Sequence, residues 1–314
     1  PYKTIRYEIY LFDSVLYRFV VIPRAHDALL QQAADFAWED RRPPEGPGRV
    51  DTFNPYKQTF FHADLSKDDT IGTADLPSLW NQRIREGKWL HWDGNNDSVD
   101  ERNKSAALGA GASPASLDLA SLKRVGDWIW DLQPPAFPPD KIDATRAQAG
   151  KAIFQAQCAN CHAVDGKQMG QVTPIGQIGT DPARLDSFTP ELAKNMDTLG
   201  AGYPWKFSHF RKTDGYTNMP LDGIWLRGPY LHNGSVPSLR DVLKPADQRP
   251  KVFYRGYDVY DYVNLGFISV GPDAEKNGVR YDTSLNGNGN QGHSYGTTLP
   301  PDQINDLLEF MKTL

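Results

Sequence analysis

The chain has 314 residues with 34 basic and 39 acidic side chains, so its formal net charge is −5 and no basic tract indicates binding to nucleic acid or to an anionic membrane. The longest apolar run, Phe19 to Ile22, is far shorter than the roughly 20 residues that span a bilayer. The 24 prolines, 27 glycines and 11% aromatic residues indicate a loop-rich chain of one large or two ordinary domains, and no repeated segment is evident.

The N-terminal part of the chain predicts helices separated by long loops. Residues 2–10 fit a strand or a helix, and the apolar residues from 28 to 36 recur at helical spacing, with Asp27 as a candidate N-cap. From 49 to 116 the periodicity is poor, whereas 118–132 predicts a further helix. Because four prolines between 134 and 139 form a stiff linker, we place a domain boundary near residue 140.

The second domain, residues 141–314, is predicted to begin and end with a helix. Asp143 is the candidate N-cap of a helix that runs to Cys158. A last helix begins at Pro300-Pro301, and its apolar stripe comprises Ile304, Leu307, Leu308, Met311 and Leu314.

The two cysteines of the chain lie in one short motif, Cys158-Ala159-Asn160-Cys161-His162. Two thiols at this spacing can bind the vinyl groups of one haem, and His162 then ligates the iron. A redox dithiol would be expected between a strand and a helix, and a zinc site would need about four ligands, for which no second cysteine pair exists. The motif therefore predicts haem c, and both thiols are then used, so we expect no disulfide.

The arrangement of helices around this motif indicates a fold class. A helix before the motif and a C-terminal helix packed across it are typical of class I cytochromes c. We therefore expect a mainly α protein with long loops, consisting of a class I cytochrome c-type haem domain (141–314) and an N-terminal helical, loop-rich region (1–140).

The sixth ligand of the iron decides the chemistry, because methionine raises the potential and an open site allows O₂ or peroxide to bind. Candidates are the six other histidines and the four methionines of the chain. Met311 is expected in the core, Met169 follows His162 too closely to reach the other face easily, and Met196 and Met219 lie in plausible loops. His293 lies in a glycine-flanked loop, and we interpret His232 as a structural hydrogen-bonding residue.

Three stretches resemble a known family: Pro220–Leu239, Gly48–Pro55 and His91–Asn96. They are similar to the C-terminal haem domain of bacterial di-haem c-type cytochromes, the superfamily of the di-haem cytochrome c peroxidases, and more closely to its rubber-oxygenase-like branch. The resemblance implies a bis-histidine haem with His293 as the sixth ligand, Met219 or an open site being the alternatives. It also implies a Ca²⁺ site near the carbonyls of residues 219–221, although no carboxylate cluster is evident.

Further residues are candidates for haem contacts. Arg227, Trp225 and Tyr230 could bind the propionates, since a guanidinium pairs well with a carboxylate, although a structural ion pair is the alternative for Arg227. In the family, Trp92 would lie between two haems and could carry electrons, whereas a packing role is the alternative.

The chain departs from the family in having one haem-binding motif where its relatives have two. The first haem domain would then be absent, lie upstream of Pro1 or belong to another subunit. We expect an exported, periplasmic or extracellular electron-transfer protein whose leader was cleaved or lies further upstream, with a redox protein or another haem subunit as partner. The alternatives are a haem peroxidase or dioxygenase, whose catalytic haem lies in that missing portion or partner, and a structural or sensing subunit.

Overall fold

The computed structural model describes residues 10–314, which form two compact units. The first unit contains the described residues up to Arg42 together with Asp64–Asp69, and the second contains Pro43–Ala63 and Thr70–Leu314. Residues on both sides of position 140 lie in the second unit, and the domain boundary that we place there stays a prediction.

The first unit is dominated by helical residues from position 10 onward. A π-helical turn, Tyr17–Val21, leads into helix α1, Ile22–Asp35, so Asp27 lies inside the helix and the expectation that it is the N-cap is wrong. A 3₁₀ turn, Ala37–Arg41, follows, and Arg41 Nη2 donates to the carbonyl of Leu65 at 2.6 Å. The prediction for residues 2–10 lies, apart from Tyr10, outside the described residues.

The second unit consists of short helices and strands joined by long loops, which confirms the expected mainly α class. Its helices are α2 (Asn54–Thr59), α3 (Val99–Gly109), α4 (Leu119–Ile129), α5 (Ala144–Gln157), α6 (Ala159–His162), α7 (Ile175–Ile178), α8 (Ala183–Ser187), α9 (Pro190–Met196), α10 (Leu239–Val242), α11 (Pro272–Asn277) and α12 (Pro301–Met311). Its strands are β1 (Arg49–Asp51), β2 (Thr73–Asp75), β3 (Val172–Pro174), β4 (Gly215–Thr217), β5 (Val252–Arg255), β6 (Tyr260–Asp261), β7 (Gly266–Phe267) and β8 (Val279–Asp282). They pair antiparallel as β1–β2, β3–β4, β5–β8 and β6–β7.

Helices α5 and α12 cross closely and form the main core. The Asp143 carboxylate accepts hydrogen bonds from the first N–H groups of α5, which confirms the predicted N-cap. At the crossing, a Cβ on Gly150 would collide with the backbone carbonyl of Asp306. The absence of a side chain at Gly150 therefore permits the close approach of the two helices. The stripe predicted for α12 is buried where it meets α5, with Leu307 and Leu308 at 0% and 2% exposure. Each such side chain stabilises the fold by about 1.5–3 kcal/mol through burial.

The second unit contains the same local arrangement twice, which the sequence alone does not reveal. We call the loop Leu90–Asn96 and α4 the N-terminal frame, and the loop Tyr230–Val236 and α12 the C-terminal frame. Each loop is closed by one β-bridge, with N–H to carbonyl distances of 2.7 Å from its first to its last residue.

The backbone angles and helix ends of the two frames also agree. The second loop residue has positive φ in both frames (His91 62°, Leu231 64°), and so has the glycine that follows (Gly94 65°, Gly234 64°). The carbonyl three residues beyond each helix then accepts a backbone hydrogen bond. In the N-terminal frame Asn81 donates to Leu132 at 2.6 Å, and in the C-terminal frame Gly223 donates to Leu314 at 2.8 Å.

Candidate functional site

Helix α5 ends at the cysteine–histidine motif and delivers it to the wall of a cavity. Cys158 leaves helical geometry at φ −124°, and its carbonyl accepts hydrogen bonds from the N–H groups of Cys161 and His162. This turn brings both thiols and the His162 ring into the wall of one cavity of about 420 Å³. Burial raises the pKa of Cys158 to about 11 and also raises that of Cys161. A redox dithiol needs a lowered thiol pKa, so this environment argues against that alternative.

The orientation of His162 is fixed by a backbone carbonyl. Its Nδ1 lies 2.7 Å from the carbonyl oxygen of Met219, and because a carbonyl can only accept, Nδ1 carries the proton. Nε2 therefore has the free lone pair that a metal requires. Burial is the main reason that the pKa of His162 is lowered, so the ring is neutral.

His293 lies opposite His162, with ring centroids 6.1 Å apart and an interplanar angle of 46°. Its backbone N–H donates to the carbonyl of Ile178 at 2.8 Å, and its backbone has φ 46°. Burial lowers the pKa of His293 to about 4, so this ring is also neutral. With metal–nitrogen bonds of about 2 Å and about 1 Å from nitrogen to ring centre, two imidazoles on one metal have centroids about 6 Å apart. The two rings therefore fit a single metal between them.

Arg249 holds the loop that carries His293, and sequence reasoning missed this residue. The residue is 2% exposed, and its guanidinium donates to the carbonyls of Asn290, Gly292 and His293 at 2.6, 2.9 and 3.2 Å. A buried arginine with several carbonyl acceptors fixes a backbone segment that has no regular structure. An arginine in a loop has no distinctive sequence signature, so only the fold reveals this role.

The other histidines and the methionines have different surroundings. His162, His232 and His293 are the histidines in the described wall of the cavity. His232 stacks on Tyr216 at 4.1 Å and hydrogen-bonds its hydroxyl at 3.1 Å, which agrees with a structural role. Met196 is buried in a separate core around Phe188, and Met169 does not line the cavity.

Met311 and Met219 do line the cavity, but neither is free of other contacts. Met311 belongs to the main core, as expected. Met219 Sδ lies 3.9 Å from Arg227 Nη2, and its backbone oxygen is the acceptor for His162. The calcium site that the resemblance implies would use this same region. The carbonyls of Met219 and Pro220 already accept hydrogen bonds from His162 and Arg227, and the calcium site stays a prediction.

The three candidate propionate contacts are not brought together. Tyr230 and Arg227 line the cavity, with the Tyr230 hydroxyl donating to the carbonyl of Ile224 at 3.1 Å. Trp225 is not among the described residues of the wall, because it packs edge-to-face on Phe137 and donates to the carbonyl of Pro135.

Trp92 lies in the walls of two cavities. One is the cavity of the two histidines, and the other, of about 330 Å³, lies beside strand β5. The indole Nε1 donates to the Asp75 carbonyl at 2.6 Å, which fixes the ring. The indole of Trp92 is therefore a fixed aromatic ring that is common to the walls of both cavities.

Comparisons with known proteins agree with this geometry. The cytochrome c family model matches residues 147–224, and a model described as RoxA-like, cytochrome c-like matches residues 215–254. Together they cover most of α5, the cysteine–histidine motif and the loop of the C-terminal frame. These matches confirm the predicted resemblance: the C-terminal region is similar to cytochrome c and to a haem domain of RoxA-like di-haem cytochromes.

Two curated relatives from Sinorhizobium fredii (strain NBRC 101917 / NGR234) are similar over most of this chain. They are the uncharacterized proteins y4iJ, 27% identical over 86% of the chain, and y4iM, 29% identical over 80%. The matched regions are 60% and 66% of these relatives' own lengths, so the chain spans less than two thirds of them.

Proposed function

We propose that this c-type cytochrome domain binds one haem through thioethers at Cys158 and Cys161, with the iron between His162 and His293, and that it transfers electrons. The observation that supports this best is the pair of neutral, buried imidazoles 6.1 Å apart, with both thiols in the same cavity wall. When bound, the haem iron supplies a one-electron redox couple. With an imidazole on each side, no position remains for O₂ or peroxide, which favours electron transfer over oxygen chemistry.

The residues around the two histidines have separate tasks. The Met219 carbonyl orients the His162 ring and increases its basicity as a ligand. Arg249 fixes the His293 loop. Arg227 forms no ion pair with a carboxylate of the described residues, so a haem propionate would supply the missing charge. Tyr230 lies in the same wall. We leave Trp225 out of this set because it packs elsewhere.

Trp92 is our candidate for the electron path out of the cavity, because its side chain is shared between the walls of the histidine cavity and of a second cavity. We expect a redox protein or another haem subunit as the partner.

No helix among residues 10–314 is long and apolar enough to cross a membrane. Because haem c is attached outside the cytoplasm, we propose a periplasmic or extracellular location.

The decisive test is the replacement of each candidate sixth ligand in the holoprotein. We expect the wild-type protein to be six-coordinate and low-spin when reduced, and not to bind CO. His293→Ala should open the site, so the reduced haem should bind CO readily. Met219→Leu is the matched control, because it removes the sulfur but keeps the backbone carbonyl that orients His162. A methionine–iron charge-transfer band in the oxidised protein, or CO binding only in Met219→Leu, would overturn the assignment of His293.

A second candidate function is an oxidoreductase, a haem peroxidase or dioxygenase, with its catalytic haem on another segment or subunit. The observation that favours it is the apolar face of α4, where Val125 and Trp128 are 55% and 67% exposed, whereas the same element of the C-terminal frame is buried against α5. A haem-bearing helix comparable to α5 would cover this face. The relatives are also longer than the chain.

Intact-mass and haem analysis of the natural protein, purified from its source, distinguishes the two functions. One haem per protein, with no haem-bearing partner, supports electron transfer alone. Two haems, one of which binds CO or peroxide in the protein without any substitution at His293, would support the oxidoreductase.

A further inference from the structure

A small cavity is lined by the segment Thr217–Met219 and by Leu90 and His91 of the N-terminal frame. Its volume is about 20 Å³, which is room for one water-sized particle. The wall includes the cationic side chains of Arg85, Lys88 and Arg102 together with His91, and it contains no aspartate or glutamate of the described residues. The cavity is therefore strongly positive for its size.

The charges in this wall are not all compensated. Arg85 is paired with Asp222 at 2.7 Å, so its charge is balanced. Arg102 has no carboxylate partner among the described residues, and its Nη2 donates to the carbonyl of Ser78 at 3.0 Å. A shielded guanidinium without a counter-ion is costly, and proteins normally provide one.

Three residues that line this cavity each have one polar atom that is shielded from solvent and lacks a hydrogen-bond partner in the described part of the chain. These atoms are Arg102 Nη1, His91 Nε2 and Thr217 Oγ1. Buried polar atoms are nearly always paired, so three such atoms around one small cavity indicate a bound particle that accepts hydrogen bonds. A water could satisfy the hydrogen bonds, but only an anion would also balance the charge of Arg102.

We propose that this cavity is a binding site for a single halide-sized anion, chloride under physiological conditions, held by Arg102, His91 and Thr217. The site is adjacent to the histidine cavity, since Thr217, Asn218 and Met219 line both. Its volume of about 20 Å³ fits a monatomic anion.

The first test is crystallographic and uses the full-length holoprotein, with bromide replacing chloride. We expect an anomalous bromide peak in the wild type within hydrogen-bonding distance of Arg102 Nη1. Arg102→Gln should lose the peak, whereas Arg124→Gln, which removes an exposed guanidinium on α4, should keep it. Water-like density without anomalous signal in the wild type would overturn the proposal, and this outcome does not depend on whether a variant folds.

The second test measures the site in solution. Chloride replaces gluconate at constant ionic strength while thermal unfolding is followed, because a ligand that binds only the folded state raises the midpoint. We expect a saturable rise in the wild type and in Arg124→Gln, and at least a tenfold higher chloride requirement in Arg102→Gln. A bromide peak without any chloride-dependent stabilisation would show binding at crystal concentrations only and would count against the proposal.

Discussion

The N-terminal and C-terminal frames share a backbone design but differ in what covers their helices. Both have a bridged loop with positive φ at its second residue, and both accept a backbone hydrogen bond three residues beyond the helix. In the C-terminal frame, Leu307 of α12 is fully buried against the haem-motif helix α5. In the N-terminal frame, Val125 of α4 is 55% exposed. The comparison indicates that the loop and its contact with the helix end build the frame, whereas a second helix packed on it completes a cofactor site.

The contrast predicts a large difference in stability between equivalent truncations on the two helices. Leu307→Ala should lower the free energy of unfolding by about 2–5 kcal/mol, because it leaves a cavity at the α5–α12 contact. Val125→Ala on α4 should change it by less than about 0.5 kcal/mol. Urea unfolding of the two variants of this chain provides the measurement. Equal losses would show that the face of α4 is covered in solution, contrary to the structure.

A pair of helical glycines sharpens the same comparison. A Cβ at Gly150 of α5 would collide with the Asp306 backbone, so Gly150→Ala should force the helices apart and cost about 1–3 kcal/mol. A Cβ at Gly126 of α4 would meet no heavy atom closer than Asn103 Nδ2 at 3.8 Å.

Gly126→Ala is therefore the matched control, and it should stabilise the protein by up to about 1 kcal/mol through helix propensity. Thermal midpoints of both variants, with the haem absorbance as a second probe, check the prediction. If Gly150→Ala is also stabilising, the close crossing of α5 and α12 is not maintained in solution.

The parts of the fold that sequence reasoning found are those with local signals. The N-cap Asp143, the apolar stripe of α12 and the cysteine–histidine motif each depend on residues close together in the chain. The repeated frame was missed because it rests on φ angles and single bridges, with little shared sequence: at the second loop position one frame has His91 and the other Leu231. Asp27 was misplaced because the helix extends further towards the N-terminus than its apolar period.

The candidate site was predictable only in part for the same reason. The spacing of the motif names the proximal ligand, but the partners that orient it are distant in sequence. The Met219 carbonyl lies 57 residues after His162, and Arg249 lies 44 residues before His293. A carbonyl acceptor carries no side-chain signature, so neither contact can be inferred from residue type. Trp225 shows the opposite error: it lies in a stretch that resembles the family, which suggested a haem contact, but its ring packs on Phe137 away from the cavity.

The last prediction concerns acid stability and the residue that differs between the two loops. Burial, with smaller contributions from Arg102 and Arg184, lowers the pKa of His91 to about 3. An unfolded chain binds a proton at this histidine below a pH of about 6.5, whereas the folded chain does not until about pH 3. The contribution of His91 is therefore fully present above pH 6.5 and is lost as the pH falls, with a slope of about 1.4 kcal/mol per pH unit.

His91→Leu gives the first loop the residue that the second loop has at the same φ, so the backbone should tolerate it. Between roughly pH 6 and pH 4, the free energy of unfolding should fall less steeply with decreasing pH in the variant than in the wild type. The expected difference between the two slopes is about 1.4 kcal/mol per pH unit. Urea unfolding across this range, in chloride-free buffer, measures the slope, and values above pH 7 give the packing effect of the substitution alone. Identical slopes in both proteins would mean that His91 is solvated or charged in the folded state. The two loops would then share a backbone conformation, while the polar ring at the second position of the first loop would be hydrated.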